Sequence, residues 1–287
     1  MSTFGTCTTI YLTTESRSVT GPSGEAVPLY ASAYTGFGAR QQVRRETYGD
    51  DVGQSGWTTI AELDRFAELL EVGPGSRLLD VGCGSGGPIL YLCEKTGARV
   101  LGVDALEEGV STATRLAQER GLADRASFVQ IDATGRLPFD DASFDAVLSI
   151  DAMCHLPNRL AVLEEWHRVT ARGGRVLFTD PTIVTGLVTG GEIAVRSAIG
   201  TYVFSVESLN ERLLAEAGFA LLHREDATEN MAVVAGRWRD ARGRFRDELV
   251  ADEGIETFEG VQSFLETCNL LARERRLSRQ AFLAEPS

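Results

Sequence analysis

From residue 77 to residue 180, short apolar runs alternate with longer amphipathic segments. Five runs have the length and composition of buried strands: 77–82, 99–104, 126–132, 144–151 and 174–180. Three segments between them have helical apolar spacing and end at glycine: 88–97, 106–120 and 158–174. This alternation predicts βαβ units with right-handed crossovers, and therefore a doubly wound parallel sheet with helices on both faces.

The alternation is lost after Asp180. The later elements are predicted as a helix capped by Ser205 and ending at Gly218, a strand at 220–226, two amphipathic helices within 229–272 and a strand at 276–284. The two strands bring the expected sheet to seven. Residues 182–204 and 228–275 are expected to be lid insertions that cap the mouth of the sheet, where open α/β sheets bind ligands.

Composition divides the chain into three parts. Residues 1–25 are rich in serine and threonine and are expected to form a flexible arm. Residues 26–73 hold scattered aromatics and then a helix from Thr58 to Leu70, which together are expected to form an N-terminal cap. Residues 74–287 are expected to form the main domain.

The charge balance excludes several classes of partner. The 287 residues include 28 basic and 41 acidic side chains, for a formal net charge of −13. Non-specific nucleic-acid binding and docking on anionic membranes both need a basic surface, so neither partner is expected. No apolar run approaches the roughly 18 residues of a membrane span, and the first residues lack a signal-peptide pattern. We therefore expect a cytoplasmic protein.

The cysteines give no sign of a disulfide framework or a metal site. They form no CxxC pair, and no histidine pair lies near them at ligand spacing. We expect free thiols in a reducing compartment and no bound metal. The five are Cys7, Cys83, Cys93, Cys154 and Cys268.

The strongest local motif is a glycine-rich turn, DVGCGSGG (80–87), between a predicted strand and a predicted helix. Glycines let the backbone approach a ligand closely, and a helix N-terminus offers free N–H groups. Gly82, Gly84 and Gly87 satisfy the GxGxxG spacing of a dinucleotide site. Gly82, Gly84 and Gly86 equally satisfy the GxGxG spacing of an S-adenosylmethionine loop. The loop alone leaves both cofactors open.

Aspartates follow the next strands. Asp104 ends the second strand, where a carboxylate can bind both ribose hydroxyls of either cofactor. Asp132 ends the third strand, where a carboxylate can accept from an adenine amino group. The stretch LPFDDASFDAVLSID (137–151) then leads through the fourth strand to Asp151.

Together these motifs resemble the class I S-adenosylmethionine-dependent methyltransferases over residues 75–181, and more loosely over the last two strands. The resemblance implies a seven-stranded, mostly parallel, Rossmann-like sheet with an antiparallel last strand. It implies S-adenosylmethionine as cofactor and S-adenosylhomocysteine as product. The implied cofactor residues are Asp80, Gly82, Cys83, Gly84 and Gly86 around the methionine part, Asp104 and Ala105 at the ribose, Asp132 and Ala133 at the adenine, and Asp151 at the methionine end.

Within that family, the chain is most similar to small-molecule enzymes such as the sarcosine/dimethylglycine N-methyltransferases and the rebeccamycin sugar O-methyltransferase. The segment DAMCHLPNR (151–159) lies where those enzymes carry a histidine-bearing loop. The sugar O-methyltransferase type has two adjacent histidines there, whereas this chain has Cys154 and His155. The departure favours an acceptor that needs no strong base.

Methyl transfer from a sulfonium is an in-line displacement, so the enzyme mainly aligns the nucleophile. A neutral amine or electron-rich ring carbon needs little deprotonation, whereas an aliphatic alcohol needs a base. His155 is the candidate general base. Asp180, at the end of the fifth strand, is expected to orient His155 or contact the substrate.

Aromatic residues around the presumed lid suggest the acceptor class. Tyr30, Tyr34, Trp57 and Tyr202 are candidate substrate contacts, because few charges are interleaved with them. The alternative is that these side chains form the core of the cap. The sequence predicts transfer to nitrogen or nucleophilic carbon of a small apolar or aromatic molecule, such as an indole, in specialised metabolism. A homodimer is compatible with the sequence.

Three alternatives remain open from the sequence. The first is an O-methyltransferase that uses His155 as base. The second is an NAD(P)-dependent oxidoreductase, although no YxxxK pair follows the fourth strand. The third is a non-catalytic binding protein on the same fold.

Overall fold

The structure is a computed structural model that describes residues 38–198 and 202–287. The predicted arm at 1–25 lies outside the described residues. Within the described part, no helix is both long enough and apolar enough to cross a membrane.

The described strands form one mixed sheet. They are β1 (Arg77–Val81), β2 (Arg99–Asp104), β3 (Ala126–Gln130), β4 (Phe144–Ser149), β5 (Thr170–Val184), β6 (Ser205–Val206), β7 (Phe219–Asp226) and β8 (Leu277–Pro286). The order across the sheet is β3-β2-β1-β4-β5-β8-β7, and the short β6 pairs with the end of β5. The neighbours from β3 to β5 pair in parallel, whereas β8 is antiparallel to β5 and β7. The prediction of a mostly parallel, Rossmann-like sheet is confirmed.

Helices pack around this sheet and beyond its mouth. They are α1 (Ala39–Tyr48), α2 (Ile60–Leu70), α3 (Gly87–Thr96), α4 (Glu107–Glu119), α5 (Arg159–Val169), α6 (Gly190–Arg196), α7 (Leu209–Glu216), α8 (Thr228–Arg244), α9 (Arg246–Glu253) and α10 (Ile255–Arg273). Helix α2 begins with a capping box in which Thr59 and Glu62 each bond the other's backbone N–H. Helix α1 escaped prediction because its sequence, ARQQVRRETY, has almost no apolar stripe.

Several boundaries differ from the sequence prediction. Strand β5 continues past Asp180 to Val184, and three helices, α8, α9 and α10, lie where two were predicted within 229–272. Ser205 is not an N-cap; it lies buried in β6, and α7 begins after Ser208. The Gly173–Gly174 pair does not end a helix, because α5 stops at Val169 and β5 already begins at Thr170. The register between β4 and β5 shifts between Phe144 and Ala146, so the glycine pair lies in an irregular stretch of strand.

The core lies on both sides of the sheet, which explains why its strands read as continuous apolar runs. Leu79, Val147 and Phe178 belong to one buried cluster, whereas Leu78 and Leu148 belong to the cluster on the opposite side. A third cluster fills the cap: Trp57, Cys154, Tyr202, Met231, Ala232, Val234, Ala235, Val261, Phe264, Leu265, Cys268 and Ala272. This third cluster includes residues that follow β4 and precede β6, so the cap is packed next to the carboxyl ends of the strands.

Candidate active site

The glycine loop between β1 and α3 has a left-handed backbone. Gly82, Gly84 and Gly86 have φ values of 77°, 52° and 78°. At Gly82, a Cβ atom would lie 2.4 Å from the Cβ of Ala152; at Gly86, it would lie 2.6 Å from the Cβ of Ala113. Glycine is therefore required here both by the backbone conformation and by close packing.

Asp104 holds the loop in this shape. Its Oδ2 accepts a hydrogen bond from the Gly84 N–H at 2.9 Å, and its Oδ1 accepts from the Leu106 N–H at 2.9 Å. The carboxylate thus joins the glycine loop to the turn after β2. Each oxygen keeps a second lone pair that a ligand hydroxyl can use. Ala105, the next residue, is exposed beside it.

Asp80 is the least satisfied acid of the site. Its side chain is buried at the end of β1, and its Oδ1 has no hydrogen-bond partner among the described residues. Burial, and secondly the charge of Asp104, raises the pKa of Asp80 to about 8. A buried carboxyl oxygen without a partner is where a ligand donor can complete the hydrogen bonding.

The third acid of the edge is more exposed. Asp132, just after β3, accepts from the Thr134 N–H at 2.9 Å and from the Thr134 hydroxyl at 2.7 Å. These bonds lower the pKa of Asp132, so it is a carboxylate at neutral pH. Ala133 is half-buried against the core. Cys83 contributes its backbone only, because burial raises the pKa of its thiol.

Asp151 has a different environment from the one expected. Its Oδ1 accepts from Arg279 Nε at 2.7 Å and from the Thr179 hydroxyl at 2.7 Å. Its Oδ2 accepts from the Trp57 N–H at 3.0 Å. The residue has φ 55°, a left-handed conformation that this network holds in place. The carboxylate therefore orders the frame of the site, which leaves a direct contact with the methionine end as a proposal.

Asp180 requires a correction. It was expected to orient His155 or contact the substrate, but its side chain is 0 % exposed and engaged on both oxygens. Oδ2 pairs with Arg159 and accepts from Asn210 at 2.8 Å and Ser205 at 3.0 Å. Burial alone would raise its pKa; Arg159 and the hydrogen bonds outweigh burial and hold the pKa below its ordinary value. The Asp180 carboxylate therefore forms an ion pair with the buried Arg159 instead of facing the acceptor.

His155 ends a short 3-10 turn, Met153–His155, that follows Asp151. The imidazole is half-buried, and its ring centre lies 4.6 Å from that of Tyr202. The neighbouring Cys154 is buried, with its thiol donating to the Asp151 carbonyl at 3.3 Å. Burial raises the pKa of this thiol, so Cys154 does not replace a second histidine as a base.

The predicted aromatic contacts belong to the cap core. Trp57 is 5 % exposed and stacks on Phe264, with ring centres 6.1 Å apart. Tyr202 is 3 % exposed and lies under the guanidinium of Arg196, 4.2 Å from its ring centre. The expectation that these two rings line an acceptor pocket is corrected, because their surfaces are covered by other side chains. The other two candidates, Tyr30 and Tyr34, lie outside the described residues.

Two buried arginines beside the site were not predicted from the sequence. Arg279 is 0 % exposed and pairs with Asp151, just after β4, whereas Arg159 is 3 % exposed and pairs with Asp180, within β5. Arg279 carried only a weak signal, since it is a charge within a predicted strand but stands between Ser278 and Gln280. Arg159 carried none, since an arginine in the first turn of a helix is ordinarily exposed.

The described residues hold no group of three or more histidine, cysteine, aspartate or glutamate side chains arranged to bind a metal ion. Their cysteines, Cys83, Cys93, Cys154 and Cys268, are all buried and free.

The Asp180–Arg159 pair should be important for stability. Asp180→Asn leaves the buried guanidinium without its counter-charge, and we expect a loss of about 3–5 kcal/mol of unfolding free energy, measured by urea denaturation. Asp141→Asn removes the 76 %-exposed partner of Arg168 and should cost less than about 1 kcal/mol. Equal small losses for both variants would contradict a stabilising role for the buried pair.

Asp80 should make stability depend on pH. Its pKa is raised in the folded protein, so between about pH 4 and pH 8 the folded state keeps a proton that the unfolded chain releases. The stability of the wild-type protein should therefore fall as pH rises through this interval. Asp80→Asn lacks this effect. The unfolding free energy of Asp80→Asn relative to that of wild type should therefore rise by on the order of 3 kcal/mol from pH 5 to pH 8. Chemical denaturation without ligand measures the gain.

The matched control is Asp140→Asn, which removes an exposed carboxylate next to β4. Its stability difference from wild type should stay constant over the same pH range. Parallel profiles for wild type and Asp80→Asn would show that Asp80 is already ionised in the free protein.

Comparison with known proteins agrees with this geometry. The family model described as "Methyltransferase domain" matches residues 79–178, from β1 through most of β5. The 27-O-demethylrifamycin SV methyltransferase of Amycolatopsis mediterranei is 31 % identical over 241 residues, covering 79 % of this chain and 86 % of the relative. Methyltransferase GfsG of Streptomyces halstedii is 33 % identical over 203 residues, covering 66 % and 72 %.

A solved structure shows the same fold. Haemonchus contortus phosphoethanolamine N-methyltransferase 2 in complex with S-adenosyl-L-methionine superposes with a TM-score of 0.74 at 19 % identity, covering 85 % of this chain and 56 % of that one. Of the two cofactors that the glycine spacing allowed, these matches select S-adenosylmethionine. The chain belongs to the class I S-adenosylmethionine-dependent methyltransferases that act on small molecules.

Proposed function

We propose that the chain methylates a hydroxyl group of a small, largely apolar acceptor of specialised metabolism, with His155 as the general base. The observation that carries the proposal is the position of His155, half-buried on the turn that follows β4 and Asp151. The rifamycin relative supports a hydroxyl acceptor, since its printed name specifies an O-demethylated compound. This revises the preference for nitrogen or carbon that the sequence alone gave.

The other two histidines are placed less well. His167 lies at the opposite edge of the sheet, with its ring 5.2 Å from that of Phe219 at the start of β7. His223 lies within β7 at the outer edge of the sheet, 3.4 Å from Glu225. Neither position is near the glycine loop.

The cofactor residues of the sequence analysis fit the structure as a binding site, and we propose them as such. Asp80, Gly82, Cys83, Gly84 and Gly86 would hold the methionine part, since the unpartnered Asp80 oxygen lies buried there. Asp104 with Ala105 would hold the ribose, and Asp132 with Ala133 would border the adenine. When bound, S-adenosylmethionine supplies a methyl group that is already activated on a sulfonium.

The chain then has to position the acceptor, accept its proton and exclude water. Positioning alone can lower the activation barrier by roughly 7–11 kcal/mol. His155 would take the hydroxyl proton on an imidazole nitrogen as the oxygen attacks. We propose that the insertions 182–204 and 228–275 act as the lid, because the cap cluster packs directly on Cys154, beside His155.

Transfer to nitrogen or nucleophilic carbon is the second candidate. It is supported by the ion pairs of Asp151 and Asp180 with Arg279 and Arg159, because both carboxylates then serve the frame of the site rather than acid–base assistance. An electron-rich ring carbon or a neutral amine needs no such assistance.

The cofactor site is tested by calorimetric titration with S-adenosylhomocysteine, run beside NADH and NADPH. We expect binding of S-adenosylhomocysteine alone. Asp104→Asn should weaken it about 10-fold or more, because the amide opposes an N–H donor of the loop. Asp145→Asn is the matched control; that carboxylate accepts from the Arg77 N–H at the other edge of the sheet. Tight nicotinamide binding, or equal effects of both variants, would refute the assignment.

The acceptor atom is tested with His155→Ala in turnover assays with methyl-labelled cofactor, on panels of alcohols, phenols, indoles and aromatic amines. Loss of a general base should lower kcat by roughly 10²–10⁴-fold on hydroxyl acceptors, with S-adenosylhomocysteine affinity unchanged. His223→Ala should leave the rate near that of wild type. A loss below about 10-fold for His155→Ala would instead support transfer to nitrogen or carbon, where positioning suffices.

A further inference from the structure

A segment before α2 lies across the glycine loop. We call residues 50–58 the strap. The Val52 carbonyl lies so close to Gly87 that a Cβ there would be 2.2 Å from its oxygen. The Ser85 hydroxyl donates to the Gly53 carbonyl at 3.2 Å, and Arg120 donates to the Val52 carbonyl at 2.9 Å. The first half of the strap therefore packs on the start of α3, next to the proposed methionine site.

The second half of the strap is tied to Asp151. The Trp57 N–H donates to Asp151 Oδ2 at 3.0 Å, and a Cβ on Gly56 would lie 3.0 Å from the same oxygen. The hydroxyl of the half-buried Tyr48 donates to the Gly56 carbonyl at 2.6 Å. The strap thus spans the gap between the ends of β1 and β4, the place where strand order reverses in the sheet.

Arg279 donates hydrogen bonds to residues that fix the position of the strap. Its Nε donates to Asp151 at 2.7 Å, its Nη1 to Glu62 at 2.6 Å and its Nη2 to the Thr58 hydroxyl at 2.8 Å. Asn230 adds bonds from its amide to the Trp57 carbonyl at 2.9 Å and to Glu62 at 2.6 Å. A guanidinium is suited to this position, because its planar fork reaches three partners at fixed angles.

We propose that Arg279 is a positioning residue for the methyl transfer, which fixes the strap over the glycine loop through Asp151, Glu62 and Thr58. The inference rests on the proposed cofactor site. Without the guanidinium, the largely buried carboxylates of Asp151 and Glu62 lose the counter-charge that they share, and the strap loses its attachment at Trp57 and Thr58. The cover over the cofactor loop then opens, so the cofactor binds more weakly even in folded protein.

The test compares Arg279→Met with Arg242→Met at a temperature where both proteins are folded. Arg242 is a matched control: it forms a buried ion pair with Glu253, between α8 and α9, away from the strap. Arg279→Met should weaken S-adenosylhomocysteine binding about 10-fold or more, and Arg242→Met less than about 2-fold. In turnover assays, the KM for S-adenosylmethionine should rise more than kcat falls.

Hydrogen–deuterium exchange without ligand measures local opening of the backbone, which distinguishes release of the strap from a general loss of stability. Peptides covering 50–58 should exchange faster in Arg279→Met than in Arg242→Met, while peptides from β1 and β4 remain alike. Arg279→Lys keeps the charge but not the fork, and should fall between wild type and Arg279→Met in both measurements. It replaces Arg279→Met in the comparison if that variant does not fold.

Normal affinity or unchanged strap exchange in folded Arg279→Met would overturn this inference alone. Equal losses of affinity in Arg279→Met and Arg242→Met would also overturn it, since they would reflect lost stability. Failure of the wild-type protein to bind S-adenosylhomocysteine would overturn the cofactor site and its positioning together.

Discussion

Burial of charge at the carboxyl edge of the sheet is the constraint around which this site is built. Asp151 follows β4, and Asp180 lies buried within β5. An unpaired carboxylate so close to the core would be costly. Each is neutralised by a buried arginine: Asp180 by Arg159, 21 residues away, and Asp151 by Arg279, 128 residues away. The strap, the turn that carries His155 and the segment before β6 are each hydrogen-bonded to a residue of these two pairs.

The division of labour among the acids follows from this pairing. Asp80, Asp104 and Asp132 keep lone pairs or an unpartnered oxygen, so they can accept from a ligand. The two carboxylates paired with arginine instead set the positions of neighbouring segments. One physical criterion, the presence of a buried counter-charge, thus separates the carboxylates that can accept from a ligand from those that order the frame.

The sheet could be read from the sequence because each strand is a short apolar run bounded by glycine or aspartate. The glycine loop and Asp104 could be read because they are local in sequence. What could not be read depends on long-range pairing. The sequence around Asp180 does not predict that it pairs with Arg159 and Asn210. The sequence around Trp57 does not predict that its ring is covered by Phe264. Burial of a side chain is a property of the assembled fold.

The separation of Arg279 from its partners has a kinetic consequence. It bonds residues 128, 217 and 221 positions away, whereas the βαβ units close over a few tens of residues. Contacts between distant residues bear a larger loop-closure entropy and tend to form after local ones. The sheet and the glycine loop can therefore assemble before Arg279 fixes the strap. The ability to bind the cofactor would then be acquired late in folding and lost early in denaturation.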